Sequence, residues 1–85
     1  MRTIYKYQCL EMDNFTIEMP TGSHILTVQM QRGEPCIWAI VDPDAFPEQR
    51  HFQLFGTGHP IDGIGRYIGT FQLMGGNLVF HLFEV

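Results

Sequence analysis

The segment CIWAIV, Cys36–Val41, decides the fold class because it is apolar at every position, and therefore on both faces of an extended chain. A strand of this kind is typical of the middle of a sheet or the interior of an oligomer. The tight turn Arg32–Glu34 precedes it, and Asp42–Pro47 follows it with two prolines that remove backbone donors. The segment is therefore predicted to be a short strand that lies in the middle of a sheet or inside an oligomer and that ends in a loop.

The rest of the chain shows a period of two in short segments that are separated by Gly, Pro, Asp or Asn. In the segment around Val28, the residues Leu26, Val28 and Met30 are predicted to share the dry face. Gly56–Gly65 is predicted to be a turn-rich segment, and Gly75–Asn77 a hairpin. The other six predicted strands are Arg2–Cys9, Phe15–Met19, His24–Gln31, Gln49–Phe55, Tyr67–Leu73 and Leu78–Val85.

About seven short antiparallel strands at this spacing predict an all-β fold, a small sandwich or barrel, in a single domain that spans residues 1–85. A domain of 85 residues is near the lower limit of what a hydrophobic core supports alone. Only 16% of the residues are charged, which leaves a surface to be covered by neutral polar groups or by a partner. The chain is therefore predicted to form a homo-oligomer, a dimer or tetramer.

The charge balance argues against a nucleic-acid polymer as a partner. Five basic residues face nine acidic ones, for a net charge of -4, whereas proteins that hold a nucleic-acid polymer neutralise its phosphates with clustered Lys and Arg. We find no signal-peptide pattern and no apolar run of the ~18 residues that a membrane span needs. The sequence predicts a cytoplasmic protein without a membrane partner, in which Cys9 and Cys36 are reduced, buried thiols.

The sequence offers no strong candidate for a catalytic residue or a metal ligand. The four histidines, His24, His51, His59 and His81, lack the HxH or HxxxH spacing that would place two ligands together. Ser23 lies beside His24, but adjacent residues of an extended chain point to opposite faces. We therefore predict a non-enzymatic protein with no catalytic residue, no metal and no cofactor.

The segment Gly56–His59, with the sequence GTGH, is the strongest candidate for a binding loop. Its glycines permit positive φ and expose backbone N–H groups that can form an anion-binding concavity, to which Thr57 and His59 add side-chain donors. Arg50 and Arg66 flank the loop along the chain, so the four side chains are predicted to contact phosphate or ribose oxygens. The alternative is a glycine loop that serves strand geometry alone.

Aromatic residues provide the second part of the predicted site. An exposed aromatic ring stacks on a nucleobase with a gain of ~1–3 kcal/mol per base. Most aromatic side chains of so small a domain must fill its core. Trp38 and Tyr67 each carry a polar group, and one or the other is predicted to provide the stacking surface.

Six motifs carry a resemblance to a family of small phage- and prophage-encoded proteins over nearly the whole chain. They are IYKY (4–7), IEMP (17–20), PCIWAIVD (35–42), GTGH (56–59), YIGTF (67–71) and LVFH (78–81). The tryptophan strand and the GTGH loop are the most specific of them. The chain is also similar to viral sponge proteins, such as the anti-CBASS proteins, which trap nucleotide second messengers of bacterial anti-phage defence.

The resemblance implies a phage protein that sequesters a cyclic dinucleotide, or a related nucleotide messenger, in the host cytoplasm and so evades host immunity. A protein-interaction module remains the alternative, either an inhibitor of a host factor or a minor phage structural protein. An enzyme that cleaves a nucleotide is a third possibility, but it lacks a catalytic candidate in this sequence.

Overall fold

Seven β-strands and a 3₁₀ turn form the structure, a computed structural model that describes residues 1–63 and 65–85. The predicted turn-rich segment Gly56–Gly65 includes Ile64, which lies outside the described residues. The strands are β1 (Thr3–Gln8), β2 (Asn14–Pro20), β3 (His24–Gln31), β4 (Glu34–Val41), β5 (Pro47–Gly56), β6 (Arg66–Leu73) and β7 (Leu78–Glu84). Each predicted strand is present, with ends that differ by at most two residues, and the all-β fold is confirmed.

The strands form two antiparallel sheets that pack as a small sandwich. One has the order β1-β4-β3 and the other the order β2-β5-β7-β6. The apolar strand β4 is the central strand of the three-stranded sheet, as its sequence predicts. Its hairpin with β3 turns through Arg32 (φ 51°) and Gly33 (φ 80°), and two consecutive positive φ angles define the type I′ turn that matches strand twist.

The core lies between the sheets and is built from alternate residues of the strands. Ile37 and Ala39 of β4 are fully buried, as are Phe52 of β5 and Leu82 of β7. Phe15 of β2 stacks on Phe52 with ring centroids 5.3 Å apart. Burial of alternate positions leaves the remaining side chains of the four-stranded sheet on its outer face.

The two sheets approach each other most closely where β3 meets β6. A Cβ atom on Gly69 would lie 2.8 Å from Cγ1 of Val28, so glycine permits this close contact. The register shifts between Ile25 and Thr27 in β3, and between Tyr67 and Gly69 in β6. Both strands therefore contain an irregularity close to the contact, as is common where strands bend at the rim of a sandwich.

The irregularity in β3 overturns one detail of the sequence prediction. Leu26, predicted to face the core, is 43% exposed, whereas Ile25 is 2% exposed and Val28 is 3% exposed. An extra residue in the strand changes the alternation, so Ile25 and Val28 share the core face although three positions separate them. The predicted hairpin at Gly75–Asn77 is present, because β6 and β7 pair antiparallel as far as Leu73 and Leu78. The connection between them contains the 3₁₀ turn Met74–Gly76, which the Asn77 N–H closes by donating to the Met74 carbonyl (3.2 Å).

Within residues 1–63 and 65–85, no helix is long and apolar enough to cross a membrane. Cys9 and Cys36 are free and buried. Burial raises the pKa of the Cys9 thiol to about 12, and the neighbouring Glu11 and Cys36 add to the effect.

We expect the free energy of unfolding to fall as the pH rises above about 9. The unfolded thiol ionises at its ordinary pKa of 9.0 and the folded thiol at about 12, so the stabilisation is complete below pH 9 and is lost between the two values. The loss has a slope of about 1.4 kcal/mol per pH unit. Urea unfolding at pH 7 to 11 measures it, with Cys9→Ala as the control. Equal losses in the parent and in Cys9→Ala would contradict this assignment.

Candidate ligand-binding site

An aromatic cluster lies on the outer face of the four-stranded sheet. Leu54 pairs with Leu82 on the core side, so the next residues, Phe55 and Phe83, point outward. The rings of Phe55 and Phe83 meet edge to face with centroids 5.7 Å apart, and Tyr67 of β6 packs on Phe83 at 5.5 Å. We refer to Phe55, Tyr67 and Phe83 as the aromatic cluster.

The GTGH segment forms a tight turn at the end of β5, whose last residue is Gly56. The His59 N–H donates to the Gly56 carbonyl at 3.1 Å, and Gly58 has φ 86°, which is the conformation of the third residue of a type II turn. The Thr57 N–H donates to the Val79 carbonyl at 3.3 Å. The amides of Thr57 and His59 are therefore used within the protein, and the predicted anion-binding concavity does not have them as free donors.

Gly56 positions the His59 side chain. A Cβ atom at Gly56 would lie 2.8 Å from both Cε1 and Nδ1 of the imidazole, so the ring packs over the glycine backbone. This contact requires a residue without a side chain at position 56. The two glycines of the turn therefore have different roles: Gly58 provides the positive φ and Gly56 provides room for His59.

A cavity of about 320 Å³ lies between the turn and the aromatic cluster. This volume is near the lower end of the range of small-molecule sites, which is ~300–1,000 Å³. Among the residues that the structure describes, the lining contains no Asp, Glu, Lys or Arg side chain and consists of apolar surface, hydroxyl groups and two imidazoles. The lining residues are Phe55, Gly56, Thr57, Gly58, His59, Ile61, Tyr67, His81 and Phe83.

A chain of hydrogen bonds connects polar groups at two sides of this cavity. Thr57 Oγ lies 2.8 Å from His81 Nε2, and His81 Nδ1 lies 2.8 Å from Thr70 Oγ. Thr70 Oγ lies in turn 2.7 Å from the Tyr67 hydroxyl. We call these four side chains the His81 relay. Because both ring nitrogens have partners, the imidazole is fixed in orientation and holds Thr57 and Tyr67 in place.

Of the six predicted site residues, the structure brings Thr57, His59 and Tyr67 together at this cavity. Arg66 is exposed at the start of β6, opposite Glu84 in the ladder. Trp38 is half-buried in the other sheet, where it pairs with Lys6 of β1 and Thr27 of β3. Neither Arg66 nor Trp38 lines the cavity.

Arg50 lies on the core side of β5, in line with Phe52 and Leu54, and has several partners there. Its guanidinium donates to both carboxylate oxygens of Glu84, with 2.9 Å between Nη2 and Oε1, and Nη1 donates to the Ser23 carbonyl at 2.7 Å. The hydrogen bond to Glu84 raises the pKa of Arg50 above its ordinary value, against the opposing effect of burial. This guanidinium therefore joins β5, β7 and the turn before β3, and it does not flank the glycine turn in space.

Sequence reasoning did not identify Phe55, His81 and Phe83 as site residues. The position of His81 at the cavity depends on the register of β7 with β5 and β6. No local motif in the sequence encodes that register. The Ser23 hydroxyl donates to the Pro20 carbonyl at 2.6 Å and closes a turn.

Two further observations concern alternative sites. Within residues 1–63 and 65–85, no three His, Cys, Asp or Glu side chains are grouped so that they could hold a metal ion. A cavity of about 670 Å³ lies over β2 and β5, with Thr16 and His51 in its lining. The amides in that lining are paired, since Gln53 donates to Asn14 at 3.1 Å, and the cavity contains none of the predicted site residues.

Comparison with known proteins places the chain in a family of unknown function. The whole chain, residues 1–85, matches the model of a domain of unknown function, DUF7352, and the chain belongs to that family. Searches of the curated proteins and of the solved structures found no match.

We expect Arg50→Ala to destabilise the fold by roughly 1.5–3 kcal/mol, the range for hydrogen bonds to a charged group. The substitution leaves the Glu84 carboxylate, which has 13% of its side chain exposed, without its partner. Arg66→Ala, which removes an exposed arginine opposite the same glutamate, is the matched control and should leave stability nearly unchanged. Chemical denaturation measures both. Equal stabilities of the two variants would refute the structural role of Arg50.

Proposed function

We propose that this protein is a non-catalytic binding protein that takes a nucleotide at the cavity beside the GTGH turn. The proposed ligand is a cyclic dinucleotide or a related signal of anti-phage defence, which the protein sequesters in the host cytoplasm. The observation that carries the proposal is the meeting of Thr57, His59 and Tyr67 with the aromatic cluster around one cavity. The sequence resemblance to phage sponge proteins supports the choice of ligand class.

The aromatic cluster supports stacking as the main source of affinity. Tyr67 is 56% exposed, its ring packs on Phe83 at a tilt of 59° with centroids 5.5 Å apart, and its hydroxyl lies 2.7 Å from Thr70 Oγ. These two contacts hold the ring in a fixed orientation. A rigid aromatic surface binds a nucleobase without a large loss of side-chain entropy. A protein with a net charge of -4 can use this interaction because it requires no basic surface.

The hydroxyl and imidazole groups support the binding of sugar and phosphate oxygens. His59 and the two ends of the His81 relay, Thr57 and Tyr67, line the same cavity and offer several donors at short range. None of them is a Lys or Arg side chain, so the polar contacts of the proposed complex are mostly between neutral groups. Such contacts contribute ~0.5–1.5 kcal/mol each and set orientation more than affinity.

The size of the site supports a ligand with two linked units. The cavity of about 320 Å³ adjoins a second one of about 280 Å³, and both are lined by Gly56, Thr57 and His59. A ligand in which two nucleotides share a phosphate backbone would place that backbone at the turn and one nucleotide unit on each side of it.

A calorimetric titration against a panel of cyclic dinucleotides tests the proposal directly. We expect a saturable heat with at least one member, a weaker response to the matching mononucleotide, and recovery of the ligand unchanged after long incubation. Absence of heat with every member of the panel would refute nucleotide binding. Appearance of a cleaved product would refute the non-catalytic assignment.

Variants of Tyr67 separate stacking from hydrogen bonding. Tyr67→Ala should weaken binding by ~1–3 kcal/mol, because it removes the stacking ring. Tyr67→Phe keeps the ring and loses only the hydroxyl end of the His81 relay, so its loss should be smaller. Phe46→Ala is the control, because this loop residue is 87% exposed and lies outside the cavity lining. Wild-type affinity in Tyr67→Ala would place the base elsewhere.

A further inference from the structure

The edges of the two sheets differ in how they are covered. β3 and β6 are edge strands of different sheets, and they pack against each other around Val28 and Gly69. The remaining two edges belong to β1 in the three-stranded sheet and β2 in the four-stranded sheet. An edge strand presents unpaired N–H and C=O groups and can pair with another chain.

Hydrogen bonding at the end of β1 establishes which of its backbone groups are free. The Cys9 N–H donates to the Pro35 carbonyl at 2.9 Å, and these residues continue the β1–β4 register, in which Tyr7 lies opposite Ile37. In an antiparallel pair the hydrogen-bonded positions alternate, so Tyr7, Tyr5 and Thr3 also bond to β4. The N–H and C=O groups of Ile4, Lys6 and Gln8 therefore point to the free edge.

The side chains of β1 favour pairing, whereas those of β2 oppose it. Ile4 is 56% exposed and Tyr5 is 42% exposed, one on each face of β1. Lys6, the charge in the middle of this strand, donates to Gln31 at 2.6 Å across the face of the sheet. In β2 the same reasoning starts from the Leu54 N–H, which donates to the Asp13 carbonyl, so the odd-numbered positions of β2 bond to β5. The backbone groups of its even-numbered positions therefore point to the free edge.

Each edge has one charge at a free position, Lys6 in β1 and Glu18 in β2, and such a charge protects an edge. β2 has in addition Pro20, which has no N–H to donate to a further strand. β1 contains no proline and no acidic residue. Of the two uncovered edges, β1 is therefore the one suited to pairing with another strand.

We propose that β1 pairs antiparallel with β1 of a second copy of this chain, about a two-fold axis at Tyr5. The two copies of β1 can form hydrogen bonds only in registers that set the free even-numbered positions of one copy opposite those of the other. In the middle of the strand, such registers have their two-fold axis at Ile4, Tyr5 or Lys6. An axis at Ile4 sets Arg2 against Lys6 of the second copy, and an axis at Lys6 sets two lysines against each other. Like charges opposite each other are destabilising, so the axis at Tyr5 is selected.

This register joins the two three-stranded sheets into one sheet of six strands. The Tyr5 rings of the two copies lie opposite each other, and Ile4 lies opposite Lys6 of the second copy. The proposal does not depend on the ligand site, which lies on the outer face of the other sheet.

Engineered cysteines test the register. The Cβ atoms of opposed residues in an antiparallel pair lie ~4.5–5.5 Å apart, close to disulfide geometry. Tyr5→Cys should form a disulfide-linked dimer on mild oxidation. Ile4→Cys alone, or Lys6→Cys alone, should form one at least about tenfold more slowly. A mixture of Ile4→Cys and Lys6→Cys should cross-link, because these positions lie opposite each other. Cys9 and Cys36 are buried and do not compete. Fastest self-linking at position 4 or 6, or none at position 5, would overturn the proposal.

A pair of charge variants tests the same interface without oxidation. Ile4→Glu places a carboxylate opposite Lys6 of the second copy, and Ile4→Lys places an ammonium there. Because symmetry gives two such contacts, the dimer dissociation constant of Ile4→Lys should exceed that of Ile4→Glu by roughly tenfold at low salt, and the difference should shrink at high salt. Analytical ultracentrifugation measures both. A parent protein that is monomeric at tens of micromolar, or equal constants for the two variants, would exclude this interface.

Discussion

The antiparallel register between β5 and β7 determines which side chains enter the core and which remain at the surface. Leu54 opposite Leu82 fills the space between the sheets, and Phe55 opposite His81 forms the floor of the cavity. A slip of one residue would exchange these sets, because side chains alternate along a strand. Arg50 and Glu84 reinforce the register, since Glu84 lies opposite Phe52, two positions from Arg50 on the same face. Core and candidate site therefore depend on one alignment of two strands.

The fold could be predicted from the sequence because its main signals are local. The segment Cys36–Val41 is apolar on both faces, and it forms the central strand of its sheet. The irregularity after Ile25 was not predicted, because Leu26, Val28 and Met30 alternate regularly with polar residues and so indicate the wrong face for Leu26. It is found where β3 meets Gly69 of β6, and a contact between residues so far apart in sequence cannot be read from either strand alone.

The candidate site could be predicted in part. Site residues that are close together in the sequence could be predicted, whereas those that are far apart could not. Thr57 and His59 share one turn, and their joint position follows from the GTGH motif itself. Arg50 was assigned to the same site because it precedes the turn in sequence, but its partner Glu84 is 34 residues away. His81 was not assigned to the site because its partners Thr57 and Thr70 belong to other segments. A charge or an imidazole takes its role from partners that only the folded chain supplies.

The His81 relay has one further property that its bond lengths alone do not express. A neutral imidazole carries its proton on either Nδ1 or Nε2, and each choice orders the hydroxyl protons along the relay in the opposite direction. With the proton on Nδ1, the chain can run from Thr57 toward Tyr67 and leave the tyrosine proton free at the cavity. With the proton on Nε2, the order reverses and the Thr57 proton is the free one. The same heavy atoms can thus offer hydrogen-bond donors at either end of the relay, and the cavity can accommodate ligands of opposite hydrogen-bonding polarity without any change in the protein backbone.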